Sequence, residues 1–380
     1  MPIACIEDLR LHARRRLPRA IFDFVDGGAQ DELTLRANRE DFARLTFMPR
    51  VLTDVSHRDL GTTLLGRRID LPLVVAPTGL AGLVSRSGEI AEARAAERAG
   101  IPYCSSQMAA CAIEDIERAT VQPFWFQTYL LKDRGINESL LQRAARAGCD
   151  VLVVTVDTKA QGPRERDVRN GFTVPPRVTW RNALDVARRI HWLHDVALGP
   201  RVTFANLAGS LVGSSDIISI ARFAQEQYDF TVDWSDIDWC RSRWHGKLAI
   251  KGILTPDDAR LAVEHGADAV IVSNHGGRQV DGAPSAVAVL PLVAATVQGR
   301  AEVILDGGVR RGSDILKAVA LGARACMAGR PFLYGLACGG EQGVARVIEI
   351  FRDELDVALA LLGRAAVADV DETALAEAFT

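Results

Sequence analysis

The chain has 380 residues, with 45 Lys and Arg against 48 Asp and Glu and a formal net charge of -3. That length suits one α/β barrel with insertions, a class of roughly 200 to 400 residues, so one large domain and two small ones both stay open. With 48% hydrophobic and 24% charged residues it can bury a large core, which excludes a disordered or fibrous protein. The near balance of charge removes the cationic field that nucleic-acid binding uses. The N-terminal run MPIACIEDLRLHARRRL has no apolar stretch behind a basic start, so no secretory signal is expected. A polar, helix-forming region (6–43) follows. The longest apolar stretch (71–84) is broken by Pro72, Pro77, Gly79 and Gly82 and is too short to cross a bilayer.

Short β-branched runs then alternate with amphipathic helical patterns, the order of a parallel sheet built from βα units. The strand candidates are LPLVVAP (71–77), IPYCSS (101–106), PFWFQTY (123–129), VLVVTVD (151–157), KLAIKG (247–252), AVIVSN (269–274), EVILDGG (302–308) and CMAG (326–329). Helical segments such as GEIAEARAAERAG and TPDDARLAVEHG close on Ala-Gly or His-Gly, a pattern suited to helix C-termini. Eight such units predict a (β/α)8 TIM barrel with an N-terminal helical extension and its active site at the C-terminal strand ends. The reading is one domain, 1–380, with the barrel at 71–361 and a long insertion after strand four at 158–233; insertions of that length are usually functional or mobile. The seven cysteines are scattered and form no CxxC, which predicts neither a disulfide framework nor a thiolate metal site and fits a reducing cytosol.

The strand ends carry the chemistry. Strand six runs into SNHGGRQVDG, putting His275 and Arg278 in one Gly-rich loop, a titratable base beside a fixed cation. Strand four ends in TVDTKAQGPRERD, where Asp157 can orient a histidine and Arg164 can grip a carboxylate, while Arg166 and Asp167 read as a solvated charged loop. LDGGVRRG after strand seven and AGRP after strand eight occupy the usual phosphate position of barrels, with Arg310 and Arg330 adding charge. Lys251, inside the apolar AIKG, either faces an anionic partner at the barrel mouth or lies on the outer face.

Taken together, LPRAIFDFVDGGAQDELTLRANR, APTGL, FQTY, TVDT, IKG, SNHGGRQ, LDGGVRRG and GRP resemble, in order and over nearly the whole chain, the FMN-dependent L-2-hydroxy acid oxidase and dehydrogenase family. The resemblance implies FMN as cofactor and no metal. It implies that His275 is the active-site base with Asp157 behind it, that Arg164 and Arg278 hold the substrate carboxylate, and that Tyr129 sits near the substrate hydroxyl. Lys251 would stabilise negative charge on the flavin. Pro77, Thr78 and Gly79 would line the flavin, Ser106, Gln127, Thr155 and Ser273 would contact it, Asp306 would meet the ribityl chain, and Gly308, Arg310, Gly329 and Arg330 would hold the phosphate.

Two positions depart from the family pattern. Phe24 stands where many members have a tyrosine on the carboxylate, and Met108 where glycolate oxidase has a tryptophan. Along with RVTWRNALDVARR and the VPP before it, which resemble the mandelate dehydrogenase branch most, this directs the expectation to an aromatic or bulky 2-hydroxy acid oxidised to its 2-keto acid. Gly79 resembles the members that pass electrons to a quinone-like acceptor rather than to oxygen. An oxygen-using oxidase, a flavin-binding protein with little turnover and other FMN barrels, such as type 2 isopentenyl diphosphate isomerase, are the alternatives. From Arg177 to Arg201 five arginines face two aspartates, with Trp180, Ile190, Trp192 and Leu193 interleaved. Such a segment suits an anionic membrane interface, and equally a lid with a solvated basic face. The expectation is a cytoplasmic protein, peripheral on the inner face of the membrane, without nucleic-acid partners and homo-oligomeric, a tetramer by resemblance.

Overall fold

The computed structural model describes residues 2–172, 179–200, 202–208 and 217–376. Eight parallel strands, β1 (Leu73–Val75), β2 (Cys104–Ser106), β3 (Trp125–Thr128), β4 (Val151–Thr155), β5 (Lys247–Ile253), β6 (Ala269–Ser273), β7 (Glu302–Asp306) and β8 (Ala325–Ala328), pair in chain order, with β8 returning to β1. A bridge between Val75 and Tyr103 brings β1 to the start of β2, so the sheet curls into a nearly closed barrel with helices outside. The expected (β/α)8 fold is the one found. The first and last strands differ slightly: β1 is two residues shorter at each end than the apolar run because Pro72 and Pro77 bracket it, and β8 starts one residue earlier.

Alternate residues of each strand face opposite sides of the sheet. Val74, Cys104, Trp125, Val151, Val153, Ala249, Ala269, Ile271, Ile304, Ala325 and Met327 form one buried cluster inside the barrel. Their neighbours, such as Leu73, Phe126, Leu152, Ile250, Val270 and Leu305, join a larger cluster with the surrounding helices. Leu64 and Ile69 belong to the inner cluster. They come from an antiparallel hairpin (Thr62–Leu64 with Arg67–Ile69) that the sequence reading did not anticipate and that closes the N-terminal end of the barrel.

The N-terminal region is three helices, Ile6–Arg16, Arg19–Asp26 and Leu33–Arg44. The second buries Ile21, Phe22 and Val25 and delivers Phe24 to the barrel mouth. The insertion after β4 carries helices Glu165–Arg169, Trp180–Arg188, Ile190–Ala197 and Ile217–Glu226 before the chain returns at Trp234–Arg243. The VPP motif, Arg177 and Arg201 lie outside the described residues. Among those described, no helix is long and apolar enough to cross a membrane.

Candidate active site

At the C-terminal end of the barrel the inward-facing series turns polar. Two residues beyond Cys104, Trp125, Val153, Ala249, Ile271 and Ile304 stand Ser106, Gln127, Thr155, Lys251, Ser273 and Asp306, all buried. All but Ser273 line a cavity of about 410 Å³, a size typical of small-molecule sites. Lys251 Nζ lies 2.9 Å from Asp306 Oδ2 and donates to Ser273 Oγ at 3.1 Å, and Ser273 Oγ donates to the same Asp306 oxygen at 2.7 Å. Burial disfavours the ammonium, but the Asp306 and Asp157 carboxylates outweigh it and hold its pKa above the ordinary lysine value. Lys251 therefore sits inside the barrel mouth as a charged group, not on the outer face.

His275 follows β6 in a left-handed conformation (φ 58°), its N–H tied to Ser273 Oγ at 3.0 Å. Its Nδ1 lies 2.9 Å from Asp157 Oδ1. Burial raises the Asp157 pKa, but His275 and Lys251 more than reverse this and keep the carboxylate ionised. An ionised carboxylate can only accept, so Nδ1 carries the proton and Nε2 is left as the basic nitrogen. Gly252 makes this approach possible: it has φ +109° at an irregularity in the β5–β6 pairing, and a Cβ there would lie 2.7 Å from Asp157 Cβ. Thr158 Oγ1 donates to Asp157 at 3.0 Å, a contact with no signal in the motif reading.

Arg164 and Arg278 line the same cavity as His275. Arg164 Nε pairs with Asp167 at 3.2 Å. Among the described residues Arg278 pairs with no carboxylate; its Nη1 donates to the carbonyls of Phe24 (2.8 Å) and Gly27 (2.9 Å). Burial and the Arg164 and Arg330 charges destabilise its cation, so the mouth favours an anion. The Phe24 ring lies near both guanidiniums, 5.4 Å from that of Arg164 and 5.3 Å from that of Arg278, and packs on Phe172 at 4.8 Å. The reading of Arg166 and Asp167 as a solvated loop is wrong. Asp167 is buried, and Arg166 pairs with Glu32 and reaches Asp26 at 3.4 Å, because the first turn of the insertion packs onto the N-terminal helices.

Tyr129 and Met108 also line the cavity. Tyr129 is placed by Gln107, whose Oε1 accepts from Tyr129 N at 2.8 Å and from Thr128 Oγ1 at 2.8 Å. Burial pushes the Tyr129 phenol pKa up, so it remains a protonated donor. Gly79 lies against Met108: a Cβ there would come within 3.1 Å of both Met108 Cβ and Met108 O.

The residues fit FMN. Gln127 Nε2, Thr155 Oγ1 and Thr78 Oγ1 are buried cavity-lining polar atoms without partners among the described residues, the state of groups that complete their hydrogen bonds with a ligand. Pro77, Gly79, Gly308, Arg310, Gly329 and Arg330 line the same cavity. Arg310 is a half-buried cation with no carboxylate partner for its side chain among the described residues, its guanidinium donating to Val309 O and lying 5.9 Å from the Tyr334 ring centroid. Arg330 has a second task that its motif did not reveal: it donates to the carbonyls of Val25 (3.0 Å), Gly276 (2.9 Å) and Gly27 (2.8 Å), tying the N-terminal helices to the His275 loop.

Two more parts escaped the sequence reading. Asp26 accepts from Tyr334 Oη at 2.7 Å and from Arg10 Nε at 2.6 Å; burial opposes its charge, but Arg10 and Tyr334 bring its pKa down to about 2. This buried network backs the aromatic ring under Arg310. Tyr228, at the end of the insertion, joins the cavity wall. Neither has a local sequence signature, since each depends on contacts between segments far apart in the chain.

Residues 13–377 match the family model described as FMN-dependent dehydrogenase. An L-lactate dehydrogenase of Caulobacter vibrioides (strain NA1000 / CB15N) is 43% identical over 378 residues, covering 99% of this chain and 98% of the relative. An L-lactate dehydrogenase of Acinetobacter baylyi is 40% identical over 381 residues, with 99% and 98% covered. Among solved structures, a monotopic membrane protein, (S)-mandelate dehydrogenase, superposes with a TM-score of 0.95 at 38% identity, covering 99% of this chain and 100% of that one. A soluble mutant of the membrane-associated (S)-mandelate dehydrogenase from Pseudomonas putida follows at 0.84 and 37%, with 99% of each chain covered. A match across nearly the whole chain, on a barrel whose mouth has the unmet donors and cations a flavin nucleotide requires, makes this chain a member of the FMN-dependent dehydrogenase family, an oxidoreductase that uses FMN.

Proposed function

We propose that the enzyme oxidises an L-2-hydroxy acid with a bulky or aromatic side chain to the 2-keto acid and passes the electrons to a quinone-like acceptor. The observation that carries this reading is the 2.9 Å contact between His275 and Asp157 in a cavity shared with Arg164 and Arg278. The two guanidiniums orient the carboxylate. Tyr129 donates to the substrate oxygen, and His275 Nε2 takes a proton from the substrate as general base, with Asp157 stabilising the imidazolium that forms. Lys251 offers positive charge where negative charge develops. When bound, FMN supplies the acceptor for the two electrons that leave the substrate. Ser106, Gln127, Thr155 and Asp306 would hold it at the strand ends, Pro77 to Gly79 beside β1, and Gly308, Arg310, Gly329 and Arg330 at its phosphate; Ser273, expected among the flavin contacts, lies off the cavity wall, its hydroxyl taken by Lys251, Asp306 and the His275 N–H.

Phe24, Met108, Leu83, Phe172 and Phe204 make the outer wall apolar, which supports a mandelate-like substrate over a small one. The curated relatives act on lactate by name and the structural neighbours on mandelate, so both head the panel. Anaerobic mixing with a panel of 2-hydroxy acids tests the reading: substrates bleach the flavin absorbance, and a panel without bleaching refutes it. Reoxidation by a quinone-like dye should outpace reoxidation by air; peroxide at dye-like rates would mean an oxidase.

Peripheral attachment to an anionic inner membrane face is the reading we favour for the insertion. Two of its aspartates turn to protein partners, Asp185 accepting from Arg19 N at 2.6 Å and Asp195 from Ser85 Oγ at 2.8 Å. Trp192 also turns inward, donating to Leu83 O at 2.8 Å, and so leaves the expected interfacial set. Trp180 (72% exposed), Ile190 (71%), Arg181 and Arg188 remain outside. Equal sedimentation of wild type and Trp180→Ser/Ile190→Ser with anionic vesicles at low salt would refute attachment. We read residues 1–380 as one domain, with the barrel at 71–361 and the insertion at 158–233, and the assembly as a homotetramer, which light scattering tests.

A further inference from the structure

The cavity contains a phenol that no motif announces. Tyr228 reaches it from the far end of the insertion, and the chain around it is firmly held. Tyr228 forms a bridge with Leu131, Lys132 N donates to Gln227 O at 3.0 Å, Asp133 N donates to Gln227 Oε1 at 3.0 Å, and Lys132 Nζ donates to Glu226 O at 2.9 Å. Those partners lie in the loop that begins at Tyr129, so the two phenols come from adjacent, mutually anchored chains. Tyr228 lines the cavity beside Tyr129, Arg164 and Phe172 and is half-buried, and its hydroxyl has no hydrogen-bond partner among the described residues. Burial pushes its phenol pKa up, with the Arg164 guanidinium opposing, so the hydroxyl keeps its proton. Phe24, whose ring lies 5.4 Å from the Arg164 guanidinium, has no hydroxyl to offer.

We propose that Tyr228 is a substrate-binding residue that determines specificity: its hydroxyl donates to the carboxylate gripped by Arg164, supplying from the insertion the hydrogen bond that Phe24 cannot make. A half-buried phenol with an idle donor beside a guanidinium gains most from an anionic acceptor that both can reach. The inference rests on the reading of the cavity as a 2-hydroxy acid site.

The test compares wild type, Tyr228→Phe and Tyr228→Phe/Phe24→Tyr as flavin-loaded enzymes on mandelate and methyl mandelate, with a dye as acceptor. Removing one hydrogen bond to a charged group should lower kcat/KM for the acid by about ten- to a hundredfold. The loss should fall on KM, the ester should lose about threefold or less, and the second substitution should restore most of the acid's affinity. Oxalate binding, followed by the perturbation of the flavin spectrum, should weaken in parallel in Tyr228→Phe; it needs no turnover and remains readable in a poorly active variant. An unchanged acid-to-ester preference with unchanged oxalate affinity would overturn the role of Tyr228 and leave the hydroxy acid reading intact. If wild type itself neither binds oxalate nor oxidises any 2-hydroxy acid, that reading falls, and this inference with it.

Discussion

The two ends of the barrel are made by the same strands and treat buried side chains in opposite ways. At the N-terminal end Trp125, Val151, Ala269 and Ala325 meet Leu64 and Ile69 of the hairpin, and apolar contact fills the space. At the other end, Gln127, Thr155, Lys251 and Asp306 bury polar atoms and charges, some with no protein partner among the described residues. Unsatisfied burial of this kind costs free energy, so the mouth is organised for a ligand while the floor is organised for stability. Substitutions at the floor should therefore change folding with little effect on rate, and those at the mouth the reverse.

The largest effect should be at His275. His275→Asn keeps a polar side chain but removes the base, and kcat should fall by about a hundred- to ten-thousandfold, the usual worth of a positioned acid or base. Flavin content, read from the visible spectrum, should be retained. If kcat survives, the dyad is not the proton acceptor.

Trp125→Ala tests the opposite end. Deleting a buried tryptophan there should destabilise the protein by about 3 to 5 kcal/mol, measured as a shift in the unfolding transition. The folded fraction should keep kcat/KM within about twofold, because Trp125 does not line the cavity. A collapse of turnover without loss of stability would erase the division between floor and mouth.

Arg310→Met should weaken FMN binding by about ten- to a hundredfold through loss of a charge-assisted contact. Flavin retained after gel filtration and fluorescence titration of the apoprotein would report it. Undiminished retention would remove Arg310 from the phosphate site.

The smallest effect sharpens the comparison by testing an unpartnered group away from the cavity. Glu92 is buried in the helical shell, neither carboxyl oxygen has a partner among the described residues, and burial together with Glu89 raises its pKa well above the ordinary glutamate range. The folded state thus holds the Glu92 proton more tightly than the unfolded chain. The stability tied to that proton is fully present below the ordinary glutamate range and is lost as pH rises through the folded value. Glu92→Gln, which has no charge to bury, should melt higher than wild type, with a gap that widens from about pH 5 to about pH 8. A constant gap, or none, would show that Glu92 is not the titrating group.

Much of this was legible in the chain. The short β-branched runs, alternating with helical patterns, were enough to count eight strands, and in a parallel barrel the strand ends are the site, so His275, Asp157 and Lys251 could be named from their place after an apolar run, and Asp306 from the family resemblance. The short hairpin escaped because Thr62–Leu64 and Arg67–Ile69 are too brief to show a period. Arg166 reads as solvated because its neighbours are charged, and Trp192 reads as interfacial because its neighbours are basic, whereas Arg166 lies against Asp26 and Glu32, and Trp192 donates to Leu83 O.

What the sequence by itself determined is therefore the barrel, the family and the set of reactive side chains, because hydrophobic periodicity and local motifs are short-range properties of the chain. What only the tertiary structure decided is how those side chains are paired and supported. The Asp157–His275 contact joins residues 118 positions apart, the Asp26–Tyr334 bond joins residues 308 apart, and Tyr228 and Arg164 line one cavity only because the end of the insertion packs beside the loop after β3. Hydrogen bonds and charge interactions fall off within a few ångströms, so they depend on where distant segments come to rest, and linear spacing carries no record of that.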